Sequence, residues 1–224
     1  MIITQTTNKN NFFNVSRSSV GDSMKINYQL ICDKEMEEMT HGGARPRLLL
    51  QSCCGPCSSY VLEYLTKFFD VTVFFSNSNV SSEEEYEKRL SAQREVTEKL
   101  NAQSAIPLVA DEYNHDEFLA RVKTLEGAPE GGVRCVECFR LRLERTAEYA
   151  KENGFDCFTT TLSVSPHKNA EILNTLGKEI GERFGIRFLT ADFKKREGYK
   201  RSIELSRELQ LYRQEYCGCE FSIR

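Results

Sequence analysis

Seven of the nine cysteines in this 224-residue chain fall into three tight groups: Cys53, Cys54 and Cys57 in CCGPC, Cys135 and Cys138 in RCVEC, and Cys217 and Cys219 in YCGC. A cysteine in a soluble protein is ordinarily an isolated, buried, inert small hydrophobe. Spacings of zero to two residues instead hold sulfurs within reach of a common metal. The three groups stand far apart along the chain. To act as one site they require a fold that gathers three remote segments at one place. Seven sulfurs exceed what one tetrahedral ion or one four-thiolate cluster takes. The count suggests a four-ligand centre beside a three-ligand centre.

The remaining composition narrows the class. The length suits one domain with an attached extension, and it is enough to bury a core without help from disulfides or metal. Lys and Arg total 30 against 33 Asp and Glu, a net charge of −3, so nucleic acid is not attracted globally and any such contact needs a local basic patch. No apolar run reaches the roughly 18 residues of a membrane span. The opening MIITQTTNKNNFFNVS lacks the charged start and apolar stretch of a secretory signal. A cytoplasmic, reducing setting is expected, where closely spaced cysteines mean metal or redox chemistry rather than structural bridges. The odd cysteine number also argues against complete pairing.

Residues 1–45 read as a flexible or loosely packed extension, rich in Asn, Ser and Thr and ending in HGGARPR, with Cys32 a bystander. From residue 46 to 224 the pattern is regular. RLLLQS is a buried strand running into Cys53, followed by a helix from Ser58 or Ser59. VTVFFSN is a second strand, apolar throughout, as a strand covered on both faces should be. Ser82 and Glu85 have the spacing of a capping box opening a long polar helix. AIPLVA is a third strand, then a helix near 115–123. CVECFRLRLERTAEYAKENG is a helix closed by Gly154. FDCFTTTL, HKNAEILNTLGKEIGERF, IRFLTADF and EGYKRSIELSRELQ add strand, helix, strand and helix. The alternation predicts a single three-layer α/β domain with a mostly parallel five-stranded sheet.

Ligands of open parallel sheets sit beyond the carboxyl ends of the strands. CCGPC falls at such an end, just before a helix whose free N–H groups and positive dipole end favour thiolate. Cys135 and Cys138 also fall at a helix start. Four readings compete for the cysteines. An iron–sulfur cluster and structural zinc each take four ligands. A thioredoxin-like dithiol uses one CxxC pair and leaves five cysteines unexplained. Scattered buried cysteines would not produce three groups. A thiol-disulfide oxidoreductase and a zinc-bound RNA-binding or interaction module therefore stand beside a redox metalloenzyme.

Other residues have two readings each. His167 follows a strand end, as a site residue would, and also suits a surface loop. Lys194, Lys195 and Arg196, with Lys200 and Arg201, are either a solvated face or phosphate contacts. Arg140, Arg142 and Arg145 either offset cluster charge or pair with Glu137, Glu144 and Glu148. Asn77, Asn79 and Thr159 to Thr161 either contact a polar substrate or cap turns. Cys157 is expected in the core. Neither a GxGxxG fingerprint nor a Walker loop is present.

Six motifs in order, LLLQSCCGPC, FFSNSNVSSEEEYEKR, RCVECFRLRLERTA, FTTTLSVSPHKN, DFKKREGY and YRQEYCGCEFS, resemble the cobalamin-independent epoxyqueuosine reductase family, QueH, over residues 47–223. The resemblance implies an adenine-nucleotide hydrolase-like (HUP-type) fold with its metal site at the C-terminal edge of the strands. It implies a [4Fe–4S] cluster with a second, mononuclear iron close by. It also implies reduction of epoxyqueuosine to queuosine at the tRNA wobble position, the last step of queuosine biosynthesis. The partners would be the anticodon loop and an unidentified electron donor, with no membrane. All seven grouped cysteines become metal ligands under this resemblance, with Cys53, Cys54, Cys135, Cys138, Cys217 and Cys219 as cofactor ligands. Some members carry a carboxylate where this chain has Cys57. His167 and Tyr199 are the proton-donor candidates, and Lys194, Lys195 and Arg196 the RNA contacts.

Overall fold

The computed structural model describes residues 26–100 and 106–223. Five strands form one sheet: β1 (Arg47–Gln51), β2 (Asp70–Phe75), β3 (Leu108–Ala110), β4 (Cys157–Thr160) and β5 (Arg187–Phe188). Every pairing is parallel, and the order is β3-β2-β1-β4-β5. Seven α-helices accompany them among the described residues: α1 (Tyr28–Met39), α2 (Gly55–Leu65), α3 (Glu83–Lys99), α4 (His115–Val122), α5 (Val133–Glu152), α6 (Ala170–Phe184) and α7 (Gly198–Glu208).

The run Leu48-Leu49-Leu50 shows why β1 must be central. All three side chains are fully buried, and alternation sends them to opposite faces. Leu48 and Leu50 pack with Val61, Leu62 and Leu65 of α2 and Val96 of α3. Leu49 packs with Leu143 and Ala147 of α5 and Leu173 and Ile180 of α6. The sheet is thus sandwiched between two helix layers. The chain leaves β1 towards β2 and β3, then returns to β4 on the other side. That makes the gap between β1 and β4 the topological switch point, where loops diverge and leave a crevice.

Several elements differ from the sequence expectations. Helix α2 begins at Gly55, three residues earlier than Ser58, because Pro56 suits a first helical turn. Strand β4 stops at Thr160, whose hydroxyl caps a short 3₁₀ turn, Thr161–Val164, by accepting from the Leu162 N–H at 3.1 Å. Strand β5 has only two residues. Beyond it the chain stays buried, but side chains replace the ladder: Glu35 accepts from the Thr190 N–H at 2.8 Å and Asn174 from the Ala191 N–H at 2.9 Å.

Residues 1–25 of the expected extension lie outside the described residues. Residues 28–39, expected to be loosely packed, instead form α1, whose Cys32 and Met36 are buried in the main core. Asn27 caps this helix, and Glu35 and Asp33 tie it to Thr190 and Arg196. Two apolar positions four residues apart make too weak a stripe to be read from sequence. Much of the anchoring is polar and leaves no periodic signal.

Candidate metal centre

Strand β1 delivers the first cysteines to the switch point. The Cys53 N–H donates to Thr161 Oγ1 at 3.2 Å across the crevice, and the Thr161 hydroxyl lies 3.5 Å from Cys53 Sγ. Cys54 is the extended N-cap of α2, and Cys57 lies in its first turn. Gly55 admits this approach. A Cβ there would meet the Ala92 carbonyl oxygen of α3 at 2.6 Å. Gln93, also on α3, accepts from the Ser52 hydroxyl at 2.6 Å and the Ser58 hydroxyl at 2.8 Å, clamping both ends of the turn.

The resulting geometry suits one ion. Cys53 Sγ and Cys54 Sγ are 3.8 Å apart, and all three sulfurs lie within 4.8 Å of one another. A tetrahedral ion with metal–sulfur bonds of about 2.3 Å spaces its thiolates about 3.8 Å apart. The adjacent Cys53 and Cys54 are therefore brought to the spacing of one ion's ligands. No other group of three ligands meets that spacing among the described residues. Cys54 and Cys57 have CxxC spacing, as Cys135 and Cys138 do.

Burial and mutual hydrogen bonds shift the three thiols in different directions. Hydrogen bonds from Cys54 and Cys57 hold the Cys53 thiol well below its ordinary range against the effect of burial, with help from Arg142 and Lys168. The same bonds act the other way on its neighbours: Cys54 is pushed up to about 12, chiefly by Cys53, and Cys57 is raised by Cys53 and Cys54. A metal would displace the thiol protons.

The other four cysteines form a second neighbourhood. Gly131 donates its N–H to Cys135 Sγ at 3.2 Å at the start of α5. Cys138, one turn on, is buried with Phe118 and Leu141, and Cys219 and Phe221 pack against that cluster. Burial pushes the Cys138 thiol up to about 12, and the charges of Cys217 and Cys219 add to this. Burial raises Cys219 as well, with Cys217 and Cys135 adding. These four are linked by packing and by mutual charge effects, not by the close sulfur spacing of the trio.

A cavity of about 890 Å³ joins the two neighbourhoods, bordered by Cys53, Cys57, Cys217, Arg142, Lys168 and Tyr199. Lys168 stands between them, its Nζ 3.5 Å from Cys217 Sγ. Burial alone would lower this ammonium's pKa, but Cys217, Cys53 and Cys57 outweigh it and the net shift is upward. Arg142 is buried and donates to the Ser76 carbonyl at 3.2 Å and Asn77 Oδ1 at 2.5 Å. Arg140 and Arg145 turn away, to Glu179 and Asp111.

His167 and Tyr199 both border the cavity. Lys194 and Arg196 are held by ion pairs to Asp192 and Asp33, while Lys195 is exposed. Asn77 and Thr159 to Thr161 hydrogen-bond internally, and His115 bridges the Ser78 carbonyl and Glu220. Cys32 and Cys157 are fully buried in the core, each pushed up to about 12, mainly by burial. Sequence reasoning missed Lys168, although it adjoins His167 in SPHKN, and Arg89, whose surroundings EEEYEKR read only as part of a long polar helix.

Residues 48–224 match the family described as Epoxyqueuosine reductase QueH. Curated relatives carry the same name. One from Streptococcus pyogenes serotype M1 is 38% identical over 209 residues, covering 92% of this chain and 82% of the relative. One from Staphylococcus epidermidis is 39% identical over 204 residues, covering 89% and 86%. One from Thermotoga maritima is 37% identical over 182 residues, covering 79% and 90%.

Proposed function

The chain belongs to the epoxyqueuosine reductase QueH family and reduces epoxyqueuosine to queuosine in tRNA, and we propose that it does so with two metal centres held by its seven grouped cysteines. Cys135, Cys138, Cys217 and Cys219 would hold a four-iron cluster. Cys53, Cys54 and Cys57 would hold a single iron, with Cys57 in the place of a carboxylate. The observation that carries this division is the compact trio beside the looser quartet, with Cys53, Cys57 and Cys217 facing one cavity.

Converting an epoxide to an alkene consumes two electrons and two protons and releases water. When bound, such centres supply electrons singly and an open coordination position that acts as a Lewis acid. The chain supplies the rest. The cavity volume falls in the range of small-molecule sites, which suits a splayed-out nucleoside. Arg142 and Lys168 place two cations at its wall, where they would stabilise negative charge developing on oxygen. His167 and Tyr199 border the same space and are the proton donors under this reading. On the outer surface, Lys195 is free to meet phosphate, and Lys194 and Arg196 would do so from within their ion pairs. No helix among the described residues is long and apolar enough to cross a membrane. With tRNA as its substrate, the protein would act in the cytoplasm.

Three sulfurs at the spacing of one ion's ligands favour the metal reading over a thioredoxin-like exchange, which needs only two. The test is metal and sulfide analysis of anaerobically purified protein. About five irons and four sulfides per chain are expected. A colourless protein with stoichiometric zinc and no sulfide would overturn the cofactor assignment. Nucleoside analysis of tRNA from cells lacking the protein tests the substrate: epoxyqueuosine should accumulate and queuosine disappear.

A further inference from the structure

We propose that Arg89 is a positioning residue that fixes the C-terminal cysteine strap against the rest of the site. The importance of the strap rests on the functional reading above. The path of the chain and the test do not.

Arg89 lies on α3, with only 2% of its surface exposed. Its Nε donates to Glu85 Oε1 at 2.7 Å, one turn earlier. Its two remaining nitrogens reach consecutive carbonyls of the strap: Nη1 donates to Cys217 O at 2.9 Å and Nη2 to Tyr216 O at 3.2 Å. The guanidinium carbon also stands 5.2 Å from the Tyr216 ring centroid. All three nitrogens are thus committed, one to a carboxylate and two to main chain. Bonds to carbonyls fix the course of the backbone through Tyr216 and Cys217, not the identity of a side chain.

Neighbouring contacts converge on the same few residues. Gly218 has φ +126°, and a Cβ there would come within 2.8 Å of Arg89 Nη1. The strap can therefore pass over Arg89 only with glycine at this point. The Ser81 N–H donates to Gly218 O at 3.0 Å. Glu85 receives the Tyr212 hydroxyl at 2.9 Å, so the Glu85–Arg89 pair grips the strap at two places. The expected capping box is correspondingly half-built: Ser82 Oγ accepts from the Glu85 N–H at 3.2 Å, and the Glu85 carboxylate is directed to Arg89 and Tyr212.

A buried guanidinium carries a large desolvation cost, and a hydrophobic residue would serve a mere packing role better. Its planar fork is what spans two carbonyls and a carboxylate together, which an ammonium does not reproduce. The geometry points to a residue retained for the placement of Cys217 and Cys219.

The test uses full-length, metal-free protein and the alkylation rate of each cysteine by iodoacetamide, read by peptide mass spectrometry. Arg89→Lys keeps a positive charge for Glu85 and loses the fork. Cys217 and Cys219 should react about tenfold faster in this variant, with Cys32 and Cys157 still protected, because only the strap opens. Arg89→Met should show a larger effect. Unchanged rates at Cys217 and Cys219 in Arg89→Lys would overturn the proposal. So would an equal rise at Cys32 and Cys157, which would make Arg89 a general stability residue. If the functional reading fails and the protein holds no iron, this pattern of rates is still expected.

Discussion

The Lys168 ammonium lies 3.5 Å from the Cys217 sulfur on the wall of the cavity that Cys53 and Cys57 also border. A charge-assisted hydrogen bond of this kind contributes about 1.5–3 kcal/mol. Lys168→Met should therefore lower the rate of queuosine formation about ten- to hundredfold, since about 1.4 kcal/mol is a factor of ten. Lys168→Arg should recover part of it. Affinity for tRNA should change little, because Lys168 faces the cysteines. Single-turnover assays beside a gel-shift titration separate the two effects.

Cys57 tests the three-sulfur site. A carboxylate is a ligand of iron as well, and the Cys57 position sits in the first turn of a helix, where negative charge is favoured. Cys57→Asp should keep the single metal, and Cys57→Ala should lose about one iron per chain with the sulfide content unchanged. Parallel iron and sulfide assays decide it. Loss of all iron and sulfide from Cys57→Ala would place Cys57 on the cluster instead.

Gly55→Ala tests the seat of that site with no change to any ligand. The added methyl group meets backbone, the Ala92 carbonyl at 2.6 Å, which has little freedom to yield. Overpacking of this kind costs about 1–3 kcal/mol. The N-terminus of α2 should move away from α3, carrying Cys54 and Cys57 with it. Reduced iron content in a protein with unchanged far-ultraviolet circular dichroism is the expected result.

The buried thiols also set an alkaline limit. Burial pushes the Cys32 and Cys157 thiols and the Tyr86 phenol up to about 12 each. In the unfolded chain thiols titrate near 8.5 and tyrosine near 10. Above those values the unfolded state binds fewer protons than the native state, so stability falls as pH rises. The contribution is fully present below about pH 8.5 and is lost progressively towards pH 12, at up to about 1.4 kcal/mol per pH unit for each group. Urea midpoints at pH 8, 9 and 10 should decline in that order. Cys32→Ala and Cys157→Ala should flatten the decline while leaving queuosine formation intact.

How much of this could be read in the sequence depended on the kind of interaction. Apolar runs such as Leu48-Leu49-Leu50 announce a doubly covered strand, and the alternation of strands and helices announces a parallel sheet. The cysteine groups announce a candidate metal site because sulfur spacing is itself the signal. What does not show is bonding between side chains and remote backbone. Glu35 to Thr190 anchors α1, and Arg89 to Cys217 anchors the strap; both connect residues more than 100 positions apart by single polar contacts with no period. The arginines of α5 were equally ambiguous, since Arg140, Arg142 and Arg145 read alike and only Arg142 turns towards the cysteines. The basic run after β5 read as three equivalent cations, and ion pairing makes them unequal.

That inequality gives a prediction for RNA binding. Lys194 Nζ is held 2.7 Å from Asp192 and reaches the Ser163 and Lys168 carbonyls, and Arg196 is paired with Asp33 of α1. Lys195 is exposed and has no ion pair among the described residues. A free lysine that meets a phosphate releases one counterion, so Lys195→Glu should weaken tRNA binding across sequences and lower the salt slope by about one. Lys194→Gln acts differently. It leaves Asp192 without its cation and frees the turn that carries Lys168, so it should reduce the rate of queuosine formation before it reduces affinity. Filter-binding titrations at several salt concentrations, run beside single-turnover kinetics for both variants, measure the two effects independently. An unchanged salt slope in Lys195→Glu would remove this surface from the tRNA interface.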